Sequence, residues 1–125
     1  MASATGVART STGAADGARG SLCPRGAQVL PGDAVAGATE VSLARAAALY
    51  PVLDTRGAIA VSAARSSAAG PRGVEVVRQC GRRAAERTVM VELLFPRMLP
   101  SASLSESTLF VARARGAYRV WEVAH

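Results

Sequence analysis

Ser101, Ser103 and Ser105 stand at alternate positions in one short segment, the spacing at which a nucleophile would first be sought. Serine chemistry needs a base to take the hydroxyl proton. The one histidine is His125, the chain has no lysine, and no Gly-x-Ser-x-Gly turn occurs, so a serine hydrolase is excluded. Metal chemistry is excluded on similar grounds: Cys23, Cys80 and His125 are far apart and do not make a ligand set. No cofactor motif is present either. Glu92, set between Val91 and Leu93, is the one weak catalytic candidate. Two readings stay open for it: a buried acid suited to proton transfer, or an outward-facing charge beside an arginine.

The formal net charge of +6 suggests a polyanion partner, yet all fifteen basic residues are arginine. With asparagine also absent and Ile59 the single isoleucine, this composition reads as the product of a GC-rich coding sequence. Much of the basicity then reflects mutational bias, and net charge speaks to solubility and encounter rate before it speaks to a specific partner. An anion patch is nonetheless expected where Arg78, Arg82, Arg83 and Arg87 flank one connection and Arg113, Arg115 and Arg119 flank another, since guanidinium groups accept carboxylate or phosphate in a bidentate fork. Nucleic acid is disfavoured as a ligand because aromatic residues for base stacking are missing there apart from Tyr118.

Cys23 and Cys80 each sit beside a turn former, Pro24 and Gly81. A bridge between them would close a loop of about 57 residues and contribute on the order of 4 kcal/mol by the chain-entropy treatment. Such a bridge needs an oxidising compartment, whereas the opening residues carry no apolar run of the secretory kind. Export is expected if Met1 is not the true start, and a cytoplasmic protein with two free thiols if it is. No stretch has the length of apolar residues that a membrane-spanning helix requires.

The elements that must position these residues follow from composition and period. Residues 1–27 are Ala, Gly, Ser, Thr and Arg with almost no bulk, so they cannot offset their ordering entropy and are expected to form a disordered tail tethered at Cys23. Residues 28–125 form one domain. Asp33 is an N-cap residue and Pro51 a stop, which predicts a helix over 34–50 with Val35, Ala38, Ser42, Leu43, Ala46, Leu49 and Tyr50 on its inner face. After Gly57 the apolar period changes to two, and the remainder reads as strands over 58–65, 74–80, 88–95, 108–114 and 118–123. Ile59, Val61 and Ala63 are expected on one side of the first. The 88–95 strand is apolar on both faces and is expected to be central.

Short connections predict an antiparallel meander of four to five strands with the helix across one face, an α+β fold. In a regular meander the turns at Gly81 and Gly116 share one end of the sheet, and the loops 66–73 and 96–106 share the other. The loop 96–106 combines stiffening prolines, Pro96 and Pro100, with apolar Met98, Leu99 and Leu104. It is read either as a binding edge made by Met98, Leu99, Ser101, Ser103 and Ser105 or as a lid on the open end of the core.

A helix followed by antiparallel strands and closed by Gly116-Ala117-Tyr118-Arg119-Val120-Trp121-Glu122-Val123 resembles the cystatin-like and NTF2-like α+β folds. That resemblance implies an open-ended sheet partly wrapped around a helix, in a group holding both pocket enzymes and accessory domains. The acidic and His or Tyr set that those enzymes place in a conical cavity has no matching motif here. The expectation is therefore a non-catalytic accessory or binding domain for an unidentified protein or small molecule, exported and disulfide-stapled. The competing expectation is a small isomerase or dehydratase built on Glu92, and polyanion binding comes third. Nothing in the residues specifies an oligomeric state.

Overall fold

The computed structural model describes residues 23–50, 54–66, 70–98 and 106–124. They comprise helix α1 (Ala34–Leu49), strand β1 (Ile59–Arg65), helices α2 (Pro71–Cys80) and α3 (Arg82–Glu86), and strands β2 (Thr88–Leu94), β3 (Glu106–Ala114) and β4 (Ala117–Ala124). The strands form one antiparallel sheet in the order β1-β2-β3-β4, so each is paired with its neighbours in sequence and β1 and β4 are the edges. This is the α+β meander that the patterning predicts, with four strands.

The segment 74–80 corrects that patterning: it is the body of α2 and not a strand. Val74-Glu75-Val76 mimics a period of two, but the buried positions are Gly73 and Val76, with Cys80 half-buried, which is helical spacing. The missed signals flank it. Pro71 occupies the first turn, where its lacking N–H costs nothing, and Gly81 ends the helix at φ 94°, a backbone conformation that favours glycine. Both 66–73 and Gly81 therefore belong to the single β1–β2 connection, at the same end of the sheet as Gly116. Only the β2–β3 connection lies at the other end.

α1 lies on one face of the sheet through a stripe of small residues, Ala34, Ala38, Ser42 and Ala46, all buried. Small side chains let the helix axis approach Val89, Val91, Leu93, Leu109 and Val111, which with Phe95 make the main core. Leu43, expected inside, is 38% exposed, and Asp33 stands at the N-cap position without a side-chain cap bond. Tyr50 closes the C-terminal end, its hydroxyl 2.9 Å from Ser107 Oγ and its ring edge-on to Phe95 at 5.6 Å.

The opposite face is covered over part of its area by α2 and α3. Val76 and Ala85 pack there on Phe110, with Met90, Cys80, Trp121 and Ala124 around them. Thr88 Oγ1 donates to the Ala84 carbonyl at 2.7 Å and fixes α3 to the start of β2. Irregularities sit in both edge strands: the β1 register shifts between Ala60 and Ser62, and the β3–β4 register between Phe110 and Val111. The first overturns the predicted facing of β1. Ala60 and Ala63 join the core, while Ile59 and Val61 are 48% and 56% exposed.

Cys23 and Cys80 lie at disulfide distance, with Cα atoms 5.5 Å apart. From there the chain crosses the end of the sheet as a strap. The Gln28 N–H donates to the Arg113 carbonyl at 2.7 Å, Gln28 Oε1 accepts from the Gly116 N–H at 2.9 Å, and Arg87 donates to the Ala27 carbonyl at 2.9 Å. Leu30 then enters the core just ahead of α1.

Candidate functional site

Partial cover by α2 leaves a cleft of about 630 Å³ between its N-terminal half and the sheet. The walls are Gly70, Pro71, Arg72 and Glu75 on the helix side and Ser62, Ala64, Met90, Glu92 and Thr108 on the sheet side. The register accounts for the sheet side, since Ala64 pairs with Met90, Ser62 with Glu92 and Glu92 with Thr108, all on the face turned away from α1. At the helix end, Pro71 in the first turn of α2 lines the cleft.

Glu92 is the centre of the sheet wall. It is exposed, and its Oε1 accepts from Ser62 Oγ at 2.6 Å. It is not a buried acid, and among the described residues the arginine expected beside an outward-facing charge does not pair with it. Glu75 across the cleft is held by Arg78 at 2.8 Å along the helix surface, an exposed i,i+3 pair. Among the described residues no cation pairs with Glu92. The lining thus sets two carboxylates, Glu75 and Glu92, and one guanidinium, Arg72, over a partly apolar floor of Met90 and Ala64, and it lies open to solvent.

The arginines behave differently from one another. Arg78 is paired with Glu75, Arg87 is tied to the strap, and the Arg113 guanidinium stands 5.7 Å from the ring centre of Tyr118. Arg82, Arg83, Arg115 and Arg119 are exposed. Arg113 and Arg119 project from opposite faces of the β3–β4 hairpin, because Arg113 faces Tyr118 and Arg119 faces Ala112. Arg83 and Arg87 alone share a concavity, a groove of about 330 Å³ beside the cysteine pair. The seven therefore share one end of the molecule without converging on one point.

Met98 packs against the main core, partly buried. Leu99, Ser101, Ser103 and Ser105 lie outside the described residues. At the base of that loop Arg97 reaches Asp54 at 2.9 Å, and Asp54 also binds Arg56 at 2.8 Å. The Arg56 guanidinium first, and Arg97 second, hold the Asp54 carboxyl well below the usual carboxylate range. This cluster joins the turn before β1 to the loop after β2.

Among the described residues no group of His, Cys, Asp and Glu is arranged to hold a metal ion, and no helix is long and apolar enough to cross a membrane. What sequence reasoning missed was the cleft itself. Its helix wall comes from the segment read as a strand, and the signal that would have found it is Pro71 read as a helix start. Comparison of the chain with protein-family models, with curated proteins and with solved structures finds no match.

Proposed function

We propose that this chain is a non-catalytic binding domain of an oxidising compartment, and that its ligand enters the cleft between α2 and the sheet. The observation that carries this reading is the cleft at Glu92: its volume falls in the range of small-ligand sites, and its lining sets Glu92 and Glu75 against Arg72, with the hydroxyls of Ser62 and Thr108, at the edge of an apolar floor. Such a lining suits a ligand with hydrogen-bond donors, above all a cationic one. The enzyme alternative asks more of the same residue. A proton-transfer acid works best in a site that excludes water, and Glu92 is exposed on an open wall. The cysteine pair at bonding distance supports export, where such bridges persist. The order of a helix followed by antiparallel strands supports a place near the cystatin-like and NTF2-like folds, with α2–α3 as a departure between the first two strands.

Chemical-shift mapping tests the reading. N-acetyl-arginine amide at millimolar concentration is expected to move the amide resonances of Ser62, Glu92 and Thr108, and N-acetyl-glutamate is not. Unmoved cleft resonances with donor-rich cations, neutral sugars and anions alike would overturn it. Native protein carrying two alkylatable thiols would overturn the compartment assignment.

A further inference from the structure

Resting on the cleft as the binding site, we infer that its ligand is an extended peptide segment that adds as a fifth strand to the outer edge of β1 and sends a basic side chain to Glu92. The first support is topological. β1 ends the sheet, and among the described residues nothing pairs with its outer edge. Natural edge strands are blunted by charges, prolines, bulges or covering loops, and the register shift in β1 blunts the Ala60 end of this edge. β1 has one charge, Arg65, which is turned aside to donate to the Pro31 carbonyl at 2.8 Å, and it presents exposed Ile59 and Val61. Its register shift lies between Ala60 and Ser62, so the pairing runs without interruption from Ser62 to Arg65 beside the cleft.

The second support is the geometry of access. An added strand would lie about 4.8 Å outside β1, hence roughly 10 Å from β2. Ser62 and Ala64 on the cleft side of β1 are exposed and short, and they leave room for an extended arginine to pass toward Glu92. Chemistry supplies the third. Glu92 accepts from Ser62 and has no cationic partner among the described residues, while Glu75 on the far wall is already paired with Arg78. An arginine on the incoming strand adds a charge-assisted hydrogen bond to this carboxylate. Main-chain pairing provides affinity and the cleft provides selection, the division of labour in strand addition elsewhere.

A capped heptapeptide alternating valine with arginine tests the inference on the full chain, read by hydrogen exchange and by fluorescence anisotropy. The expected result is slowed exchange of the β1 amides on binding and no binding of the same peptide with glutamate for arginine. Glu92→Gln, a surface change, should weaken binding by about tenfold or more, the loss of one charge-assisted hydrogen bond. Binding that leaves β1 exchange unchanged, or equal binding of the glutamate peptide, overturns it. So does a free protein whose β1 amides are already protected in a species of twice the chain mass, since a second copy then occupies the edge. If N-acetyl-arginine amide moves the cleft resonances but the peptide does not protect β1, the strand addition fails and the cleft reading survives. If neither ligand acts, both fail.

Discussion

Gly37 on α1 lies against the ring of Tyr118 on β4, so close that a methyl group at Gly37 would stand 2.8 Å from Cδ2 and 2.9 Å from Cζ. The absence of a side chain at that point is what lets the helix reach the edge strand. Gly37→Val is expected to lower the stability by about 1–2 kcal/mol, as overpacking does, in urea denaturation. In a Tyr118→Ala background the same change should cost nothing or gain slightly from helix propensity. A cost unchanged in the double variant would place the strain elsewhere.

The cysteine pair spans 57 positions and ties the strap to the end of α2. Cys23→Ala with Cys80→Ala should lower the unfolding free energy by on the order of 4 kcal/mol, measured as a fall in urea midpoint with a steeper slope, because the unbridged denatured chain is more expanded. A midpoint that stays put under reductant would mean that the bridge adds nothing in solution.

Legibility divided along the two faces of the sheet. The α1 face was readable because Ala38, Ser42 and Ala46 repeat at helical spacing and Val89, Val91 and Leu93 alternate cleanly, each pattern pointing at the same core. Facing in β1 was not readable, because a one-residue shift between Ala60 and Ser62 reverses which side chains point inward and leaves no mark in a run of Ala, Val and Ser. α2 was hidden because three valines within four positions satisfy either period. The cleft depends on both of those features, so Glu92 was visible as a residue and not as part of a site.

Acid sensitivity should trace to Asp54. Its folded-state pKa is depressed by Arg56 and then Arg97, so its contribution is fully present above the unfolded value of about 4 and is lost as pH falls below it, where the unfolded chain takes up the proton first. Thermal unfolding followed from pH 7 to pH 2.5 should show a drop below about pH 4 that is shallower in Asp54→Asn. The pair is partly exposed, so added salt should shrink the difference. Identical acid limbs in the two proteins would remove Asp54 from the account.

The β3–β4 turn is a two-residue loop in which Arg115 has φ 54° and Gly116 φ 78°. Tight hairpins favour this pairing of positive angles, but an arginine pays a steric penalty for the first of them that asparagine largely escapes. Arg115→Asn should therefore raise stability by about 0.5–1 kcal/mol, and Arg115→Val should lower it by a similar amount. Denaturation of the three proteins under one set of conditions checks the order; asparagine no better than arginine would contradict it.

Val76 decides whether the cleft has a second wall. It is buried and packs with Phe110, beside Trp121, and it is the main apolar anchor of α2 apart from Cys80 at the far end of the helix. Val74 and Val77 cannot replace it, since both are substantially exposed. Val76→Ala removes two methyl groups from a packed site and should cost about 1–2 kcal/mol, most of it local to the helix. The restraint at Cys80 keeps the C-terminal turn in place, so the Pro71 end, which borders the cleft, should loosen most. Hydrogen exchange is expected to quicken at 73–77 and to stay slow in β2 and β3, and affinity for a cleft ligand should fall along with it. Uniform quickening across the sheet would mean instead that α2 and the main core unfold as one unit, and that the cleft cannot open without the whole domain.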